Sequence, residues 1–136
     1  MASQGTPDGG LDDIGALAYT SGLLTLVGYT NTAGSLSNVT VVADLTQPTT
    51  SNGYAPILLD GVWSETNGVL TYVHSAGANN FSGNPGWQAT GVWSATVNGI
   101  ALIHGTKVRH FMDLSIPFVA ANLKKLVADL STVIGG

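Results

Sequence analysis

The chain has no cysteine among its 136 residues, which excludes a disulfide framework and a thiolate metal site. Charge is also scarce. Asp, Glu, Lys and Arg make up 9% of the residues, against roughly 25% in an ordinary soluble domain. Four Lys and Arg in total cannot neutralise a row of phosphates, so no nucleic-acid partner is expected. No run of 18 or more apolar residues is present, so no membrane-spanning helix is expected. The first ten residues carry neither a basic n-region nor an apolar h-region, and no secretory signal is expected from them. Hydrophobic residues reach 44%, enough for one core, and that excludes intrinsic disorder of the whole chain.

What charge there is lies unevenly. Asp8, Asp12, Asp13, Asp44, Asp60 and Glu65 all precede the first base, whereas Lys107, Arg109, Lys124 and Lys125 fall late, with only Asp113 and Asp129 among them. This distribution fits either chance placement on a weakly charged surface or head-to-tail docking of a basic end on an acidic neighbour. Residues 1–10, MASQGTPDGG, hold almost no apolar side chain. They are expected to form an extended N-terminal arm, either frayed or laid across a neighbouring subunit.

Leu11, Ile14, Leu17 and Ala18 recur at helical spacing behind Asp12 and Asp13, which predicts one short N-terminal helix over 11–18. The apolar run Leu23–Tyr29 predicts a buried strand, and the β-branched stretch Asn38–Leu45 a second. Asn-Gly occurs at 52–53, 67–68 and 98–99, each time flanked by β-formers. Because Asn and Gly adopt the positive φ of a two-residue hairpin turn at least cost, two hairpins are expected. One runs through 63–66 and 69–73, the other through 91–97 and 100–104. GVWSETNGVLTYVH at 61–74 also aligns with GVWSATVNGIALIH at 91–104, and the pair is read as two similar hairpins in one sheet system rather than a duplication. Between them, Ser75–Gly86 is expected to be a long loop of the kind that carries contacts. Towards the C-terminus, Val119, Leu123, Leu126, Val127, Leu130, Val133 and Ile134 fit a helical stripe. The alternation of Leu126, Ala128 and Leu130 against Lys125, Val127 and Asp129 also fits a strand, although periodicity alone favours the helix.

Residues able to support chemistry are few. His74, His104 and His110 are the only imidazoles, without the spacing of a zinc site, and they are expected to be structural or surface residues. No GxSxG, P-loop or dinucleotide-binding glycine pattern occurs. Asp60, Glu65 and Asp113 could supply paired acids for glycoside hydrolysis, but any chain with eight acids offers such a choice. No catalytic residue, cofactor or metal is therefore expected. Trp63 and Trp93 are expected to pack in or across the sheet. Trp87 follows Pro85-Gly86 and is the better candidate of the three for an interface or sugar platform, against the alternative of packing in the core.

Several segments together resemble a family of small phage virion structural proteins with a β-sandwich body. They are LTLVGYTN at 24–31, VVADLTQPTTSNGYAPILLDG at 41–61, WQATG at 87–91 and HFMDLSIPFVAANLKKLVADLS at 110–131. The resemblance implies an all-β fold, an antiparallel, jelly-roll-like β-sandwich over 11–136 behind the arm of residues 1–10, with strands rather than a helix in the closing segment. It implies a virion component: a capsid cement or decoration protein, a head fibre, or part of the tail tip. The small size, the arm and the low charge favour decoration of the capsid surface, with the major capsid protein as partner and a homo-oligomeric state. The alternative is a tail or fibre-tip protein contacting host glycans through aromatics around Trp87 and Phe81. Candidate subunit contacts are Ala2, Ser3, Gln4, Thr6, Pro7 and Asp8 in the arm, Phe81 and Trp87 at the long loop, and Lys107, Arg109, Lys124 and Lys125.

Overall fold

The computed structural model describes residues 4–5, 24–66 and 69–130, without the side chains of Gln4, Gly5, Glu65, Thr66, Val69 and Leu70. The described residues are all-β, with antiparallel pairing throughout. The expected helix over 11–18 and most of the arm lie outside them. The exception is β1 (Gln4–Gly5), which pairs with Met112 and Phe111 of its own chain.

The largest sheet is built on the apolar run expected to be a strand, now β2 (Thr25–Tyr29). It pairs with β3 (Ile57–Leu58) on one side and β8 (Val97–His104) on the other, and β9 (Lys107–Phe118) and β1 complete the order β1-β9-β8-β2-β3. Strand alternation sends Leu24 and Leu26 to one face, and Val27 and Tyr29 to the other. Both faces are covered. On the second, Leu36, Val42 and Leu45 pack over Val27, Tyr29, Ala101, Val108 and Phe111.

Three features of this region differ from the sequence reading. Asn38–Leu45 is not a strand: Val42–Asp44 form a single 3₁₀ turn. The Asp44 carboxylate accepts the Val41 N–H at 3.0 Å, closing the chain on itself in spite of its β-branched residues. The second hairpin is also absent, because β8 runs straight through Asn98-Gly99 while 91–96 is irregular. Gly99 is needed there for space rather than for turning, since a Cβ would lie 2.0 Å from Tyr29 Cζ. Asn98 spends its amide on the Thr30 and Asn31 carbonyls, 3.1 Å from each. The third is a hairpin the sequence reading missed, β8–β9, turned by Gly105-Thr106 with positive φ at Gly105. Gly at the first central position marks a II′ turn.

The other Asn-Gly expectations fare better. β4 (Val62–Thr66) and β5 (Val69–Val73) form the expected hairpin, in register from Val62↔Val73 to Thr66↔Val69. Asn52 and Gly53 both take positive φ, 49° and 89°, with Tyr54 N–H donating to the Ser51 carbonyl at 2.9 Å, a type I′ turn. The 75–86 segment is not one long loop. It contains β6 (Asn80–Phe81) and leads into β7 (Asn84–Gln88), joined at Ser82-Gly83, both with positive φ. The closing segment is a strand over β10 (Lys125–Val127), antiparallel to β7. Its alternation is the one read from the sequence, with Leu126, Ala128 and Leu130 buried and Lys125, Val127 and Asp129 exposed. The similarity of 61–74 and 91–104 therefore corresponds to no structural repeat. The first is a hairpin in its own two-stranded sheet, the second a loop followed by a central strand.

All three sheets meet in one core, where Tyr54 stacks against Trp87 and Trp93 with centroids 5.4 and 5.1 Å away, and Trp93 against Phe118 at 5.3 Å. Each polar tip is matched, as buried aromatics require. Trp87 Nε1 donates to the Ala55 carbonyl at 2.6 Å, Trp93 Nε1 to that of Asn52 at 2.8 Å, and the Tyr54 hydroxyl to Gln47 Oε1 at 2.6 Å.

Candidate interaction surfaces

The polar side chains that could do chemistry are engaged in holding the fold. Gly61 N–H donates to the Tyr72 hydroxyl at 2.8 Å, and that hydroxyl lies 2.6 Å from His74 Nδ1. Burial lowers the His74 pKa, partly offset by Asp60, and pushes Tyr72 up to about 12. Ser75 donates to Asp60 Oδ1 at 2.6 Å, away from the imidazole. Asp113 is 2% exposed, accepting from Tyr29 at 2.5 Å and from Gly34 N–H at 2.6 Å. Burial first, then the Asp113 carboxylate, raises the Tyr29 pKa. His110 faces Leu26, Ile100, Leu102 and Leu130 in a crevice too tight for a water molecule, and burial pushes its pKa down to about 4. Asp60 and Asp113, two of the acids weighed for hydrolysis, thus sit in separate hydrogen-bonded settings. Among the described residues, no group of three or more His, Asp and Glu is placed to hold a metal ion, and no helix is long and apolar enough to cross a membrane.

The expected contact residues separate clearly. Trp87 is 0% exposed and forms the centre of the core, so it offers no platform to a sugar or subunit. Its burial follows from β10, since Trp87 pairs with Leu126 and both point inward. Phe81 stays at the surface, part-exposed. Its ring crosses Gly86, where a Cβ would come 3.2 Å from Phe81 Cδ2, and Lys125 Nζ stands 5.5 Å from its centroid. Lys124 lies 5.5 Å from the ring of Phe118 instead, so adjacent lysines serve different aromatic groups. Lys107 is exposed at the β8–β9 turn, with Arg109 half-buried two residues on. Lys107 and Arg109 thus belong to β9, while Lys125 opens β10 directly after Lys124. Of the arm, Gln4 lies in β1; Ala2, Ser3, Thr6, Pro7 and Asp8 are outside the described residues.

A surface feature the sequence reading missed lies where β8 and β9 diverge. Gly99 pairs with Asp113 but Val97 with Phe118, so extra residues of β9 are thrown out as a bulge bearing Ile116, 80% exposed. Val119, Leu123 and Val92 are also exposed, at 57%, 67% and 72%. Each is tied to the Trp93–Phe118 pair: Val92 and Val119 as chain neighbours, Leu123 through Lys124. Leu123 has φ +71° in a turn closed by Lys124 N–H to the Ala121 carbonyl at 2.9 Å. This position favours Gly or Asn, and a Leu there costs about 1–2 kcal/mol. No protein-family model matches the chain, and no curated protein and no solved structure matches it.

Proposed function

We propose that this chain is a non-enzymatic virion structural protein, a cement or decoration protein that binds the phage head as a homo-oligomer and stabilises it. The observation that carries this reading is the surface: poor in charge, yet bearing exposed Val92, Ile116, Val119 and Leu123 together with the exposed cross-strand pair Val62 and Val73. A free protein normally relies on surface charge for solubility, and exposed apolar groups in this number suit a face that partners cover. The resemblance described above agrees, since its segments supply β2, the Asn52-Gly53 turn and β9. In the same reading, the five-stranded sheet and the β10-β7-β6 sheet are the two leaves of a jelly-roll-like sandwich. That arrangement is supported by a core cluster drawing Leu26, Ile100 and Leu102 from one and Trp87 and Leu126 from the other.

Stabilisation would come from repeated buried area and avidity rather than one tight site. The test is a particle lacking this protein. The expected result is a lower temperature of genome release, restored when the purified chain is added back. Unchanged particle stability would refute the cement role. Of the two aromatics weighed for glycan recognition at a fibre tip, Phe81 is the one left at the surface among the described residues, and binding to a glycan array lost in Phe81→Ala would favour it.

A further inference from the structure

We propose that the closing segment from Lys124 to Leu130 is exchanged between copies of this chain about a hinge at Leu123, so that β10 of one copy completes the core of another. This rests on the homo-oligomeric part of the reading above and deepens it.

The segment is a strap joined to the body by one crossing. β9 ends at Phe118 in the five-stranded sheet, and β10 begins at Lys125 in another, where it is an edge strand paired with β7. Residues 121–125 are exposed. The bond that closes the crossing turn, Lys124 N–H to the Ala121 carbonyl, therefore lies where water can replace it. The strap itself is held by contacts to the body. Ala89 N–H donates to the Lys124 carbonyl at 2.8 Å and Ala128 N–H to that of Pro85 at 2.9 Å, while Leu126, Ala128 and Leu130 are buried. Each of these contacts is remade unchanged when the groove belongs to another copy, which is what makes exchange of an identical element a low-cost route to association.

Strain loads the hinge. Leu123 stands at φ +71°, whereas the other positive-φ positions among the described residues are held by glycines, Asn52 and Ser82. Glycine would adopt the same turn without strain. The Leu123 side chain is 67% exposed, so little burial offsets the cost. The leucine thus raises the energy of the closed turn relative to a straightened crossing, in which its φ is that of a strand. An exchanged pair relieves two such turns, and a short strained hinge invites this outcome.

The vacated groove selects its occupant. Trp87 is 0% exposed because Leu126 lies opposite it, and an open strap would wet this centre of the core. The strand that refills the groove must set apolar side chains at alternate positions in register with Gly86, Trp87 and Gln88. A second copy carries that strand, residue for residue. The crossing, Val119–Lys124, has six residues, which span about 20 Å when extended and can carry the strap to a neighbour. Reciprocal exchange closes a dimer; one-way exchange continues as a ring or a chain of subunits.

The absence of native cysteine allows a two-chain test. One chain carries Gln88→Cys and a mass tag, the other Lys125→Cys, at positions that pair in the β7–β10 ladder and reach the surface. In a closed chain the new thiol has no partner, whereas an exchanged pair sets the two side by side, at a separation a disulfide spans. The chains are unfolded together, refolded at high concentration and oxidised mildly. The proposal expects a mixed disulfide in several-fold excess over a control pairing Gln88→Cys with Ser64→Cys, an exposed site on β4. Yield equal to the control overturns it. Bridging that is equally fast between chains folded separately also overturns it, because exchange requires opening. Leu123→Gly supplies the second measurement. By removing strain from the closed turn it should weaken association, measured by sedimentation, at least about tenfold, while thermal stability of the monomer holds or rises. Unchanged association overturns the proposal. A chain that fails both tests yet still stabilises particles removes this inference and leaves the shell reading standing.

Discussion

Tyr29 and Asp113 are joined by a 2.5 Å hydrogen bond inside the protein, made between β2 and β9 across the intervening strand β8. The ring can cross only because β8 has Gly99 beneath it, and the carboxylate also holds the 32–36 loop through Gly34 N–H. Gly99→Ala should destabilise the fold by about 3 kcal/mol, since the methyl would overlap the ring and the packed sheet cannot yield. Tyr29→Phe should cost about 1–3 kcal/mol by removing a donor from a buried carboxylate, without relieving the alanine. Tyr29→Leu should make the alanine less costly. Urea denaturation of the single and double variants reads all three effects.

Acid should weaken the fold before its carboxylates titrate. His110 is neutral in the folded state, with its pKa pushed from 6.5 down to about 4 by burial, so the unfolded chain binds the proton first. Stability is full above about pH 6.5 and falls as the pH drops towards 4, by up to about 3 kcal/mol. His74 shifts in the same direction. Denaturation midpoints of wild type and His110→Gln between pH 7 and 4 should converge as the pH falls, because the variant lacks this proton uptake. Parallel curves would show that His110 carries no such linkage.

Trp87 and Phe81 should separate stability from surface function. Trp87→Ala should cost about 3–5 kcal/mol, read as a large fall in melting temperature. Phe81→Ala, on a part-exposed ring, should leave melting nearly unchanged.

The closing strand makes a prediction that a helix would not. On the helical stripe Leu126 and Val127 lie together; in β10 they face opposite ways. Leu126→Asp should destabilise severely and Val127→Asp by less than about 0.5 kcal/mol. Equal effects would contradict the strand.

Elements decided by near neighbours were legible in the sequence. β2 was visible as an apolar run, β4–β5 through Asn67-Gly68, and the type I′ turn through Asn52-Gly53. Elements decided by distant partners were not. Asn98-Gly99 has the same two letters as those turns, yet Tyr29 from another strand occupies the space above Gly99 and the end of β2 takes the Asn98 amide. Val41 and Val42 look like strand residues until Asp44 takes one N–H and the Thr106 carbonyl the other. The burial of Trp87 depends on β10, thirty-eight residues away at Lys125, and the exposure of Ile116 on where β9 bulges. Two hairpins left unused local signals: β8–β9 in Gly105-Thr106 between β-formers, and β6–β7 in Ser82-Gly83.

The central claim is that this chain covers a virus shell. Its most direct test is the copy number of the chain in purified virus particles whose genome carries its gene, measured by quantitative mass spectrometry. Coverage of a symmetric shell predicts copies on the order of hundreds, in fixed ratio to the major capsid protein. A handful of copies per particle, or none, would contradict it.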